Sequence, residues 1–378
     1  MTTMNSIAFS AGEYARRLSR VRETMAEREI DVLLVDQTEL LAYLTGYAIS
    51  ENMYRACLVP LRGDPVAVLR TVDTGPFVDT SWLDRFVGFS DWEDPVSVIA
   101  STIRSNGWAE AAIGIDEHSY CLTLRRFKQF MSLLPSARFV DFDGALEVLR
   151  ASKSPEEIAY LRRPSQIADL TVEGVVKHAG VGKTCRDAAD IAHRVFMTHG
   201  ADSSRPGIFT IAEGDAFLHG GMTKRPLADG DILHMEVLPM VNGYGARLMR
   251  PAIVSPKKRH YEIAARLLEF QDRQFAAMKP GESAADIDAI LRKPILEAGL
   301  RKEYVNVTGY TLGHYPTSTP RTSDFTRVFL PNATWKLEQG MVFHMYVSAA
   351  GIAFSETVLV TETGAELLTR SPRQLFAI

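Results

Sequence analysis

Short apolar runs alternate with helically spaced apolar positions through the first third of the chain. Leu18, Val21 and Met25 recur every three to four residues and predict a helix over 11–29. DVLLV (31–35) follows, a run too short for a helix and apolar on both faces, which predicts a buried strand. RACLV (55–59) and PVAVL (65–69) repeat that pattern around the turn signal Arg62-Gly63-Asp64-Pro65. AAIGID (111–116) and RFVDF (138–142) read as further strands, with helical spacing at about 95–106 and 122–134. Strands alternating with helices in this way predict an α/β domain over residues 1–145.

The texture then changes. In SPEE, Ser154 is placed as an N-cap, Pro155 at the first helical position, and Glu157 to complete a capping box. That helix carries the chain into a second domain, 146–378, with another helix at 185–199. Beyond Gly200, strands are predicted at 206–212, 230–239, 244–254, 341–349 and 353–361, with helices at about 258–278 and 284–298 between them. Antiparallel strands backed by helices make this domain α+β. No short-period repeat or low-complexity segment interrupts it.

Composition narrows the field of functions. The 378 residues are 46% hydrophobic and 23% charged, enough apolar material for two buried cores. A net charge of −4 gives no electrostatic reason to expect nucleic acid or an anionic membrane as partner. No run approaches the ~18 apolar residues of a membrane span. The opening MTTMNSIAFSAGEYARRLSRV lacks the charged and apolar regions of a signal peptide, so a cytoplasmic location is expected. Cys57, Cys121 and Cys185 form neither a CxxC pair nor a disulfide framework, which suits a reducing compartment. They read as small buried hydrophobes rather than nucleophiles.

Chemistry concentrates in GDILHMEVLPMVNGYGARLMRP (230–251). Strand alternation puts His234 and Glu236 on one face, and likewise His344 and Tyr346 in GMVFHMYVS. With Asn242-Gly243 as the tip, Leu238 lies opposite Arg247 and Glu236 opposite Met249, so Arg247 is a diagonal neighbour of Glu236. A glutamate in an apolar sheet is costly unless paired. The plain alternative is a surface hairpin with its charges in water. His219, in FLHGGMTKRPLADGD, and His314, in TGYTLGHYPTSTP, are loop histidines that alone signify little. Gly309 and Gly313 lack the GKS/T ending of a phosphate loop, and no serine sits in a GxSxG elbow. The residues by themselves give a cluster of His, Glu, Arg and Tyr on a sheet.

Several segments together resemble the creatinase/prolidase family of aminopeptidase P and methionine aminopeptidase. They are LAYLTGY (41–47), IGID (113–116), KSPEEIAYLRR (153–163), the hairpin 230–251, LEQGMVFHMYV (337–347) and SETVLVTETGAELLT (355–369). The resemblance runs from about 12 to 370. It implies a C-terminal pita-bread domain, a curved antiparallel sheet covered by helices, behind a smaller α/β creatinase-type domain. Peptidases of the family hold two divalent metals with two Asp, one His and two Glu. The resemblance puts Glu236 and Arg247 at the two Asp positions, Tyr310 at the His, and Tyr346 and Ser355 at the two Glu, with Glu356 beside the last. A guanidinium is always charged and repels a dication, so the dinuclear site is expected to be absent.

Creatinase itself is similar in architecture and uses no metal. Its acid/base histidine precedes a GDIL motif by eleven residues, as His219 precedes Gly230 here, and its PMxxGY matches Pro239–Tyr244. His219 is therefore the expected general acid/base, histidine being the side chain that most readily takes and gives a proton near neutral pH. Creatinase's substrate-holding glutamates fall at Met249 and near Ala353, which argues against creatine. The expected function is a metal-independent, creatinase-like hydrolase of a C–N bond in a small carboxylate-bearing amide, amidine or guanidino compound. Glu236, Tyr310 and Tyr346 would act with His219, and Arg247 (with Arg250), His234, His314, His344 and Glu356 would bind substrate. A homodimer is expected, in which Tyr54 and Arg55 of a neighbour edge the site. Three alternatives stay open: a mononuclear metal at His234, Glu236 and His344 serving a divergent Xaa-Pro peptidase-like hydrolase or a lyase, a pita-bread binding protein without activity, and the same pocket turned to elimination, cyclisation or ring opening in a specialised pathway.

Overall fold

The computed structural model describes residues 8–48, 52–202 and 205–378. They fall into two compact units that divide at Arg150/Ala151, with Ser318–Pro320 grouping with the first.

In the first unit the chain runs α1 (Ala11–Glu27), β1 (Val32–Val35), α2 (Thr38–Thr45), β2 (Ala56–Pro60), β3 (Val66–Arg70), α3 (Thr74–Thr80), β4 (Phe86–Phe89), α4 (Pro95–Ser105), β5 (Ala112–Ile115), α5 (Leu124–Leu133), β6 (Arg138–Asp141) and α6 (Ala145–Leu149). The six strands form one mixed sheet in the order β4-β3-β2-β1-β5-β6. Alternation along β1 shows why its run is apolar throughout: Val32 and Leu34 enter the core on one face, Leu33 and Val35 the core on the other. The short α6 packs Ala145 and Leu146 into the first unit's core, so the division falls after Arg150 rather than at 145.

The second unit opens with α7 (Pro155–His178), whose capping box is formed: the Ser154 N–H donates to Glu157 Oε2 at 2.9 Å and the Glu157 N–H to Ser154 Oγ at 3.3 Å. It continues with α8 (Cys185–Thr198), β7 (Gly207–Ala212), β8 (Ile232–Val237), β9 (Met240–Val241), β10 (Tyr244–Gly245), β11 (Leu248–Ile253), α9 (Lys258–Ala277), α10 (Ala284–Glu297), β12 (Gly309–Thr311), β13 (Val328–Phe329), β14 (Val342–Ala349), β15 (Ile352–Val360), β16 (Ala365–Leu367) and β17 (Phe376–Ala377). These strands make a sheet β17-β11-β8-β7 and a sheet β13-β12-β14-β15-β16, antiparallel except where β17 joins β11. Residues of α7 and α8 pack on the first sheet, those of α9 and α10 on the second. The chain thus has the two-domain mixed architecture expected, an α/β unit followed by a unit of antiparallel sheets backed by helices.

Hairpin 230–251 keeps the expected register, Met249 facing Glu236 and Leu248 facing Val237. The single long arms expected at 230–239 and 244–254 are each broken, into β8 and β9 and into β10 and β11. Pro239 has no N–H to give the ladder, and the Arg247 N–H turns away to Thr357 Oγ1 at 2.9 Å. Gly207 lets β7 run tight against β8: at its φ of +119° a Cβ would land 1.8 Å from the Glu236 carbonyl oxygen. No helix among the described residues is long and apolar enough to cross a membrane. Burial pushes the thiols of Cys57 and Cys121 up to about 12, far from nucleophilic.

Candidate active site

Facing strands bring the polar side chains together. Cross-strand partners share a face, so Tyr310 on β12, His344 on β14 and Thr357 on β15 form one row. Tyr346 and Ser355 form the next. On the other sheet, Thr210, His234 and Pro251 are partners, as are Ile208, Glu236 and Met249. Two hydroxyls join the sheets where β11 meets β15. Ser355 Oγ accepts the Met249 N–H at 2.7 Å, and Thr357 Oγ1 both accepts the Arg247 N–H and donates to the Arg247 carbonyl, each at 2.9 Å.

Arg247 holds the centre. Its Nη1 donates to Glu236 Oε1 at 2.6 Å, Nη2 donates to Thr322 Oγ1, and the guanidinium carbon lies 5.3 Å from the Tyr310 ring centroid. The Glu236 side chain is only 2% exposed. Hairpin charges pointing into water are therefore ruled out for this pair. Burial works against the Arg247 charge, but Tyr310 and Glu236 outweigh it and hold the guanidinium protonated.

Around the pair the titratable groups are neutral. Burial pushes the His234 imidazole down to about 3, with His219 adding to the effect. His344 is lowered by burial first, then by Arg247 and His234. Burial also raises the phenols of Tyr310 and Tyr346. Tyr310 Oη and His344 Nδ1 are hydrogen-bonded at 2.9 Å. Both ring nitrogens of His234, and Nε2 of His344, are buried with no partner among the described residues. A buried polar atom left unpaired costs about 1–3 kcal/mol. Since a neutral imidazole carries one N–H and one lone pair, these atoms beside one carboxylate make a place where a hydrogen-bonding ligand would be stabilised.

Tyr346 connects this layer to a cleft of roughly 700 Å³ that it lines together with His219, Arg301 and Asn306. His219 is exposed there, on the loop ahead of β8. Asn306 Nδ2 donates to Tyr346 Oη at 3.2 Å and Arg301 Nη1 to Asn306 Oδ1 at 3.0 Å. Nothing in the sequence signalled Arg301, Asn306 or Thr322. Arg301-Lys302 reads as ordinary charge after a helix end, and all three come to the site from loops far from the hairpin.

The remaining expected residues are held by other contacts. Glu356 and Arg250 face away from the His344 row because neighbours on a strand alternate. Both are fully buried, Arg250 Nη2 donating to Glu356 Oε1 at 2.7 Å. The other Arg250 donors meet the carbonyls of Met249, Ser355, Ser371 and Pro372. This pair joins the sheets from behind and offers no substrate contact. His314 stacks on Tyr244 at 4.8 Å, and β10 bridges to it at the hairpin tip. Tyr54 and Arg55 are buried within the first unit, Tyr54 donating to Asp36 at 2.9 Å and Arg55 to Thr38 at 2.6 Å.

Of the five ligand positions that the resemblance implies only Glu236 is a carboxylate, and Arg247 Nη1 occupies its oxygen at 2.6 Å. Among the described residues no three His, Cys, Asp or Glu side chains gather as a metal site, the trio His234, Glu236 and His344 included.

Known proteins share this architecture. The creatinase/prolidase N-terminal domain family matches residues 17–152, and metallopeptidase family M24 matches residues 159–362. Ectoine hydrolase of Halomonas elongata is 29% identical over 98% of both chains. A Xaa-Pro dipeptidase of Pyrococcus furiosus is 30% identical over 63% of this chain and 68% of its own. A solved Xaa-Pro dipeptidase from Bacillus anthracis superposes with a TM-score of 0.84 at 20% identity, covering 97% of this chain and all of its own, a likeness of fold.

Proposed function

This chain belongs to metallopeptidase family M24, and on that premise we propose that it is a metal-independent hydrolase of a C–N bond in a small amidine that also carries a carboxylate. The observation that carries the reading is the Arg247–Glu236 pair at 2.6 Å, a fixed cation where the family pattern places metal-binding acid. Ectoine, a cyclic amidine with a ring carboxylate and the substrate named for the Halomonas relative, has the required chemistry.

The residues fit the steps that amidine hydrolysis requires. A protonated amidine presents N–H donors, and Glu236 with the one unprotonated ring nitrogen of His234 and Nε2 of His344 presents acceptors. Water adds to the amidine carbon, its proton passing to a base, and a tetrahedral intermediate forms. The C–N bond then breaks as the departing nitrogen takes a proton. His219, exposed in the cleft, supplies the proton transfers. Tyr310 and Tyr346, held as neutral phenols, donate to charge developing at the reacting centre. Hydrolysis of ectoine in this way opens the ring to an N-acetyl diamino acid and releases no fragment. Arg247 serves as the permanent counter-charge to Glu236. The cytoplasmic location and homodimeric state expected from the sequence complete the reading.

Turnover of ectoine by protein dialysed against EDTA, followed as appearance of a free amine, tests this. Full activity after chelation is expected, with a loss of at least about 100-fold for His219→Ala and no change in melting temperature. Activity that vanishes on chelation and returns with Mn²⁺ or Zn²⁺, or cleavage of Xaa-Pro dipeptides instead, would favour a metal-dependent peptidase. An unaltered biological phenotype of His219→Ala would favour a binding protein.

A further inference from the structure

A substrate with a carboxylate needs a cation to read it, and Arg247 is already taken by Glu236, Thr322 and Tyr310. We propose that Arg301 is the carboxylate-reading residue, so that the substrate lies as a zwitterion, its anionic end in the His219–Arg301 cleft and its amidine end against Glu236. This rests on the hydrolase reading above.

Arg301 is 6% exposed yet lines the cleft of roughly 700 Å³. Its guanidinium lies 4.3 Å over the Tyr304 ring, which fixes its plane. Among the described residues only Nη1 is engaged, donating to Asn306 Oδ1 at 3.0 Å and Ser348 Oγ at 3.4 Å. Nε is buried without a partner. Among the described residues no carboxylate pairs with it. Two comparably buried arginines meet an acid, Arg250 with Glu356 and Arg292 with Asp288, whereas Arg55 meets the Thr38 hydroxyl. A buried guanidinium with an unmet donor is costly to keep, and a ligand carboxylate offsets that cost with charge-assisted hydrogen bonds.

Asn306 sets the geometry. Its Oδ1 accepts from Arg301 while its Nδ2 donates to Tyr346 Oη at 3.2 Å, so one amide links the anion reader to the phenol facing the reacting layer. Lys302 and the exposed Glu303, also on the cleft wall, stay in water and take no part in this linkage.

Three probes test the assignment on the full chain: ectoine, its decarboxylated analogue 2-methyl-1,4,5,6-tetrahydropyrimidine, and N-acetyl-2-aminobutyrate, a carboxylate without an amidine. Arg301→Gln is expected to raise KM for ectoine about 10- to 100-fold with kcat changed far less, while kcat/KM for the decarboxylated analogue stays at the wild-type value. Arg301→Lys, which keeps the charge and not the fork, is expected to recover part of the loss and guards against misfolding of the glutamine variant. Equal losses on both amidines, or no loss on ectoine, overturn the proposal. Should wild-type protein open neither amidine, the hydrolase reading fails. Calorimetric titration with N-acetyl-2-aminobutyrate then decides alone: binding lost in Arg301→Gln sustains the carboxylate site, and binding absent or unchanged removes it.

Discussion

Arg247→Met isolates the central pair. The substitution keeps the aliphatic stem and deletes the guanidinium, leaving the Glu236 carboxylate, 2% exposed, facing no cation. Removing one partner of a buried pair costs about 3–5 kcal/mol, most of it the penalty of the stranded charge. The upper part of that range applies here, because the neighbours that remain are neutral phenols and neutral imidazoles. Arg247→Met/Glu236→Leu removes the stranded charge as well and is expected to recover most of the loss. The coupling between the two sites should then be about 2–4 kcal/mol. Trp335 is the one tryptophan in the second unit, so urea unfolding followed by its fluorescence in a Trp82→Phe/Trp92→Phe/Trp108→Phe background reports that unit alone. A single substitution costing under about 1 kcal/mol, or a double variant costing the sum of its singles, would refute the view that this is a desolvated, mutually dependent pair.

Acid should unfold the second unit through its histidines. His234 titrates at about 3 in the folded chain against 6.5 unexposed to burial, so between those values the unfolded chain binds the extra proton and stability falls as pH drops. The loss is about 1.4 kcal/mol per pH unit below 6.5, with His344 acting in the same direction. His234→Phe should flatten the profile between pH 4 and 6.5, and an unchanged slope would sink the argument. Glu356→Gln should lower stability by about 3 kcal/mol, from the weakened pairing with Arg250, while kcat/KM per folded molecule stays within about twofold. A selective loss of kcat would instead put Glu356 in the chemistry.

The fold and half of the site were legible from periodicity. Strand alternation and the Asn242-Gly243 tip were enough to set Glu236 beside Arg247, because a hairpin's register follows from its turn. The same alternation could have removed Glu356 and Arg250 from the site, one residue out of phase with Ser355 and Met249, but a charged residue in an apolar strand draws attention whichever way it faces. Thr322, Asn306 and Arg301 were beyond reach. Each arrives from a loop whose path depends on tertiary packing, and no local pattern distinguishes a buried loop arginine from a solvated one.

Charge balance explains how the cluster could change its chemistry and keep its shape. The family pattern that the resemblance implies sets four carboxylates against two dications, a neutral whole inside a low-dielectric sheet. On the proposed reading, Glu236 and Arg247 again sum to zero, and the positions between them hold Tyr310, Tyr346 and Ser355. Both phenols are pushed upward by burial and so stay uncharged. Converting a single acid to arginine would have left a net charge in the interior, at a cost of several kcal/mol. Converting the set together avoids that cost. On that reading the exchange would also reverse what the pocket prefers. A metal centre draws anions and polarises carbonyl oxygens, whereas one carboxylate beside unpartnered neutral imidazoles accepts hydrogen bonds from a cationic nitrogen centre. The substrate's anionic end must then be bound outside this layer, and Arg301, on the far side of Tyr346 and Asn306, stands where that end would lie.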